Sequence, residues 1–252
     1  MKKNSGFNNK GFSMAEILIA MALVALLAFL VIPPLKTSID KVVYVSKLKS
    51  FYTSFNQALS EIMTEKGCNS LHCTGLFNVT NGLGDEDMSN NVMENLKNTG
   101  KFNIIRECNT GDDNCFPNTF QFLNLPTGGY YDPIYKSFVL SSGAAITLNN
   151  LEVPTHCKFI IGVKNAKEKC ADLKVDINNT QPPNIIGRDI FLFHITNSGI
   201  LYPQYGRQAE TCYSDYECWD SGEVHPCMTN SFYNTGMSCA ARIMEQGWKM
   251  NY

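Results

Sequence analysis

From Ile17 to Ile32 every residue is apolar, and no other feature limits the chain as much. Counted from Phe12, the stretch covers 21 residues. At a rise of about 1.5 Å per residue, a helix of that length spans roughly 30 Å, the thickness of a bilayer's hydrocarbon core. In lipid a backbone must satisfy its own hydrogen bonds, which selects the helix over any open strand. Residues 1–11, MKKNSGFNNKG, carry Lys2, Lys3 and Lys10 and no acid. They favour a cytoplasmic N-terminus, although Lys36, Lys41, Lys47 and Lys49 follow on the far side. A secretory signal peptide would place its small-residue cleavage site after the apolar run. Here the Ala20-Met21-Ala22 string lies inside it.

Glu16 is the wrong residue for an ordinary anchor. A carboxylate at the start of an apolar stretch either sits among lipid head groups or needs a partner. Were the chain cut after Gly11, Phe12 would carry a new α-ammonium group. Phe12 and Glu16 are four residues apart and share a helix face. The ammonium of one subunit could then meet Glu16 of its neighbour, a pairing satisfied in an assembly and not in a lone chain.

The string Lys10-Gly11-Phe12-Ser13-Met14-Ala15-Glu16, followed by the apolar run, resembles the prepilin cleavage and methylation signal of the type IV pilin and pseudopilin family. The resemblance covers about residues 10–35. It implies a leader, residues 1–11, removed after Gly11 by a membrane-embedded aspartyl peptidase that also N-methylates Phe12. It implies that Glu16 acts in filament assembly. In the family a proline often loosens the spanning helix near its far end, and Pro33 falls at that position with Pro34 beside it. The implied partners are copies of the chain, other pilin-like subunits, the prepilin peptidase/methyltransferase and an inner-membrane assembly platform. The implied location is a single-pass precursor in the inner membrane, then a periplasmic or cell-surface filament.

Past Pro34 a helical period resumes through Ile39, Val42, Val43, Leu48, Phe51, Tyr52, Phe55, Leu59, Ile62 and Met63, with polar residues between. Lys66 and Gly67 make a plausible stop. The reading divides the chain into a membrane or filament-core helix over 12–35, an amphipathic continuation over 36–66 and a head over 67–252. A helix over 12–66 measures about 80 Å, a rod that a soluble domain seldom needs. The adjacent prolines remove backbone donors and should kink or loosen it.

All ten cysteines follow the apolar run: Cys68, Cys73, Cys108, Cys115, Cys157, Cys170, Cys212, Cys218, Cys227 and Cys239. An even number on one side of a membrane segment points to disulfides in an oxidising compartment. Reduced thiols and zinc are the rivals, but no CxxC pair or zinc-finger histidine spacing occurs. Pairing of sequence neighbours gives Cys68–Cys73, Cys108–Cys115 and Cys157–Cys170, with the last four forming two more in an order that sequence leaves open. Short apolar runs at 119–125, 137–140, 145–148, 159–163, 173–177, 190–195 and 199–202 read as strands, with a hairpin turn at Asn197-Ser198-Gly199. Helices are expected over 91–98 and 239–250, and Asp85-Glu86-Asp87 reads as an exposed loop. The expected fold is α+β and pilin-like: a long N-terminal helix against an antiparallel sheet, with disulfide-stapled loops.

One polar stretch of the head could hold a hard cation. Asp176, Asn178, Asn184 and Asp189 offer oxygens around a bend at Gly187, a set suited to a structural calcium. EF-hand spacing is missing, and the alternative is a solvated turn in which Asp and Asn cap backbone groups. Nucleophile-elbow, HExxH, phosphate-loop and dinucleotide motifs are absent from the sequence, so an enzyme is not expected. Loss of the leader's three lysines takes the formal charge from −2 to −5, which argues against bulk attraction to nucleic acid. The reading favours a structural filament subunit. A type II secretion pseudopilin is the close alternative, and a single-span anchored adhesion protein the more distant one.

Overall fold

The computed structural model describes residues 13–77, 85–109, 115–123, 128–130, 136–149, 157, 159–161, 167–204, 227 and 235–252. The chain divides into two units, Met1–Lys41 and Val42–Tyr252. Helix α1 (Met14–Glu65) supplies the described part of the first unit and the opening of the second. Pro33 and Pro34 both fall within it. They deprive the carbonyls of Phe29 and Leu30 of helical amide donors without ending the helix. Its C-terminus closes on Gly67, where φ is +65°. Gly67 N–H donates to Thr64 O (3.1 Å) and Cys68 N–H to Met63 O (2.8 Å). These paired bonds are a Schellman cap, and the left-handed position explains why glycine stops the helix there.

The second unit builds its core on one face of α1. Val45, Leu48, Phe51, Phe55, Leu59 and Ile62 are buried at steps of three and four. They meet Met88, Val92, Met93 and Leu96 of α3 (Asp85–Asn98) and Ala240 and Ile243 of α4 (Cys239–Glu245). A one-turn α2 (Leu71–Thr74) lies between α1 and α3, with Cys73 N–H donating to Ser70 Oγ at 3.4 Å.

A seven-stranded antiparallel sheet completes the core. Its strands are β1 (Ile104–Cys108), β4 (Ser137–Leu140), β5 (Ala145–Asn149), β6 (Phe159–Ile161), β7 (Lys167–Asp176), β8 (Ile190–Thr196) and β9 (Leu201–Pro203). The order is β1-β4-β5-β7-β8-β9. Both β5 and β6 pair with the edge of β7 that β8 leaves open, β5 along Asp172–Asp176 and β6 along Lys167–Lys169. Phe138, Ile146, Leu173, Val175, Phe191 and Phe193 join the α1 core, and Tyr52 sets its ring 6.2 Å from Phe193. The long helix thus packs on an antiparallel sheet, as expected of an α+β layout.

Alternate residues of the same strands point to a second apolar cluster, where Val139, Ala145 and Ile190 meet Phe116, Phe120 and Ile186. Phe120 belongs to β2 (Thr119–Gln121), which pairs with β3 (Gly128–Tyr130). Burial of both faces explains why β8, IFLFHIT, reads as a continuous apolar run instead of an alternation. The turn at 197–199 joins β8 to β9, with Ile195 opposite Leu201 and Gly199 N–H on Thr196 O at 2.9 Å.

Three expectations need correction. Asp85-Glu86-Asp87 opens α3 and is not a loop, because carboxylates favour the positive end of a helix. Helix α3 therefore starts six residues before Asn91. Strand β7 starts at Lys167 and not at Leu173, because its first residues are charged. Finally, α4 ends at Glu245, short of 250, where Gly247 and Trp248 both take positive φ.

A polar network joins α3 to the sheet. Glu94 and Glu107 both pair with Lys136 and Lys97. Hydrogen bonds from Lys136 first, and Lys97 second, pull the Glu107 carboxyl from an ordinary 4.5 down to about 2. A depressed carboxyl contributes stability above its unfolded value and loses it as pH falls towards the folded one. With a quarter of the Glu107 side chain exposed (26%), the contribution is roughly 1–2 kcal/mol after solvent screening. Glu107→Gln should therefore flatten the fall of stability between about pH 4.5 and 2. Urea midpoints measured across that range would show it, and an unchanged slope would dismiss the network as a stabiliser.

Candidate functional site

Two places carry chemistry that packing alone does not require. The first is the start of α1. Ser13 N–H donates to Glu16 Oε2 at 2.8 Å, and Glu16 N–H donates to Ser13 Oγ at 3.2 Å. This reciprocal pair is a capping box, written in the sequence as Ser-x-x-Glu before an apolar run. Reading Glu16 by its charge alone overlooks that signal. Glu16 thus has a partner within its own chain. Gly11 and Phe12 lie outside the described residues.

Beyond the cap, the helix is long and apolar enough to cross a membrane, and none of its most apolar window is buried. Leu18, Met21 and Leu30 are exposed, and Phe29 is 80% exposed. Exposure continues to Ile39, Val42 and Val43, although the helical period places them in the apolar stripe. Burial of the stripe begins at Val45.

The second place is the loop from β7 to β8, residues 177–189. Asp176 ends β7 fully buried, with Oδ1 accepting from Asn178 N–H at 3.0 Å. Its Oδ2 is buried and meets no donor. Asp189, also fully buried, accepts from Asn184 N–H on Oδ2 (2.8 Å) and from Ile185 N–H on Oδ1 (2.6 Å). Burial pushes both carboxyls up, and for Asp176 the charge of Asp189 adds to it. The side-chain carbonyl oxygens of Asn178, Asn179 and Asn184 are buried without donors as well. The four residues expected to offer oxygens therefore lie along one segment, from the end of β7 through the loop that follows it. Asn179 offers a further oxygen, which the spacing alone did not single out.

That loop is fixed from outside. Gln121 of β2 gives its N–H to Asn184 O and takes the N–H of Ile186, each at 2.9 Å. The Tyr252 hydroxyl donates to Gly187 O at 2.5 Å. Gly187 and Gly236 pass so closely that a Cβ on Gly236 would lie 2.0 Å from Ile186 O.

Disulfides join Cys68–Cys73, Cys108–Cys115, Cys157–Cys170 and Cys227–Cys239. The first three are the neighbour pairs expected, and the fourth resolves one of the open pairings. Cys212 and Cys218 lie outside the described residues. On the same sheet, buried Asp172 accepts from Lys169 Nζ at 3.2 Å and pairs with His194 Nδ1. Both Asp172 oxygens are thereby engaged, and the charge of Lys174 also acts on Asp172. Alternation in β7 marks it, since Ala171, Leu173 and Val175 face the α1 core.

The chain matches no family model, no curated protein and no solved structure. Its own residues therefore carry the functional argument. Among the described residues no three His, Cys, Asp or Glu side chains gather as a metal cluster. The segment 176–189 differs in kind, combining the carboxylates of Asp176 and Asp189 with neutral amide oxygens.

Proposed function

We propose that the chain is a subunit of a type IV pilus or pilus-like filament, assembled through α1 after removal of residues 1–11. One observation carries this reading: the most apolar window of α1 buries none of its surface among the described residues. In a bilayer, lipid covers such a surface. Outside it, only other apolar helices can. The exposed Ile39, Val42 and Val43 extend the same surface past the prolines.

Cleavage after Gly11 gives Phe12 an α-ammonium four residues from Glu16. Ser13 N–H occupies Glu16 Oε2, so Oε1 is the acceptor a neighbour's ammonium would use. While the leader is attached that nitrogen is an amide without charge, and no ammonium is available to pair with Glu16. Release of the leader thus couples processing to assembly. The disulfides staple loops of a head that this reading places in an oxidising space.

Mass spectrometry of the mature N-terminus, on protein from the native host, tests the reading. The expected terminus is N-methylated Phe12. An intact Met1 would instead indicate a plain anchor, and a terminus just after Ala22 a secreted protein.

A further inference from the structure

We propose that the loop from β7 to β8 is a calcium site, with Asp176, Asn178, Asn184 and Asp189 as its protein ligands. The inference concerns the head alone and does not depend on whether α1 assembles. Its basis is a set of buried oxygens that the fold leaves facing no donor. Asp176 is 0% exposed, yet its Oδ2 has no hydrogen-bond partner. The Oδ1 atoms of Asn178 and Asn184 share that condition. With Asn179 Oδ1, four donor-less oxygens lie within nine residues, more than a capping turn leaves behind, since buried polar atoms are almost always paired.

A turn built only to cap backbone groups accounts for part of the loop. It explains Asp176 Oδ1 on Asn178 N–H and both Asp189 oxygens on the amides of Asn184 and Ile185. It leaves Asp176 Oδ2 and the asparagine carbonyls unexplained. Asn178 Nδ2 donates to Gln181 O (2.8 Å) and Pro182 O (3.4 Å), and the same side chain lies beside Asp189. The Asn178 carbonyl oxygen is thereby turned from those backbone groups. The two carboxylates repel one another in a region closed to water, and a divalent cation cancels both charges.

The donor set selects the ion. The proposed ligands are all oxygens, two of them from neutral amides, which suits a hard cation. Calcium accepts about six to eight oxygens in irregular geometry, whereas magnesium requires a near-ideal octahedron and retains water. Further oxygens would come from Asn179, loop carbonyls or water. The frame is already fixed by Gln121, Tyr252 and the Gly187–Gly236 contact, so little ordering is needed on binding.

The test uses the full chain in detergent micelles, stripped with chelator and titrated with CaCl2 by calorimetry, with parallel thermal melts. We expect one calcium per chain, with Kd on the order of 10 µM to 1 mM. At saturation the melting midpoint should rise by roughly 5–10 °C, and magnesium should bind at least about tenfold more weakly. Asp176→Asn removes a buried charge while keeping the shape. It should fold and lose calcium affinity by roughly a hundredfold. Asp87→Asn, at an exposed position of α3, should bind as the unmodified chain does. If Asp176→Asn fails to fold, Asn178→Ala takes its place with an expected loss of about tenfold. A stripped, folded chain that binds no calcium at millimolar concentration, with an unmoved midpoint, would overturn the proposal. So would a folded Asp176→Asn chain of undiminished affinity.

Discussion

Glu16→Gln should abolish filament assembly while leaving leader removal and the start of α1 intact. This substitution separates two roles that Glu16→Ala confounds. In the capping box the side chain at this position only has to accept the Ser13 N–H, and glutamine does so as well as glutamate. Were Glu16 a helix cap alone, Glu16→Gln would behave as wild type. If its negative charge meets a neighbour's Phe12 ammonium, glutamine leaves that ammonium uncompensated among apolar helices. Assembly should then fall by roughly two orders of magnitude, as when one partner of a desolvated ion pair is left alone. Ser13→Ala supplies the converse. It removes the hydroxyl acceptor for Glu16 N–H but keeps the charge, so it should weaken the first helical turn and still permit filaments. Filament yield by electron microscopy, with immunoblots for the cleaved chain, gives the readout. Normal filaments from Glu16→Gln would remove charge pairing from the assembly mechanism. Loss of filaments in Ser13→Ala with normal filaments from Glu16→Gln would assign Glu16 to capping instead.

Parts of this molecule were legible in the sequence where a single physical requirement dominated. Residues 17–32 were legible as a helix because a run of that length and apolarity can cross a membrane only in that form. Gly67 marked the end of α1 because the Schellman cap needs a left-handed residue. Strand β8 was legible as an apolar run because the sheet is buried on both faces. Charge hid the rest. β1, IIREC, is not legible because exposed Ile105 and Arg106 of this sheet-edge strand break the alternation. The first residues of β7 and of α3 were missed for similar reasons, since Lys167-Glu168-Lys169 and Asp85-Glu86-Asp87 resemble solvated turns. Whether Val42 and Val43 are covered by their own chain is a matter of tertiary placement, which periodicity does not encode. The loop at 177–189 was half legible. Its oxygen donors could be named from spacing, but only packing reveals which of their atoms lack a donor.

Phe193→Ala should be among the most destabilising single changes in the head, by about 3–5 kcal/mol. Phe193 is 0% exposed near the middle of β8, opposite Leu173 on one side and Pro203 on the other. Its ring faces Tyr52 of α1, so the cavity left by truncation opens between helix and sheet. Neither partner can collapse readily, because β8 is held by β7 and β9 and the adjacent turn of α1 is pinned by Asn56 Oδ1 accepting from Leu201 N–H at 2.8 Å. Phe193→Leu keeps much of the volume and should lose only about 1–1.5 kcal/mol. Urea unfolding of both variants in the same micelles measures the difference, and a loss below about 1 kcal/mol for Phe193→Ala would mean that β8 does not pack on α1 as described. Val42→Ala gives the contrasting case. Val42 is 70% exposed, so its removal should shift stability by no more than about 0.5 kcal/mol. In the filament reading the same substitution trims a contact between subunits, and it should weaken assembly of a head that remains fully folded. Phe193 packs against α1 and Val42 lies on it, and both obey the same apolar physics. What separates them is the surface each meets: Phe193 reveals what α1 does for its own chain, and Val42 what α1 offers to another.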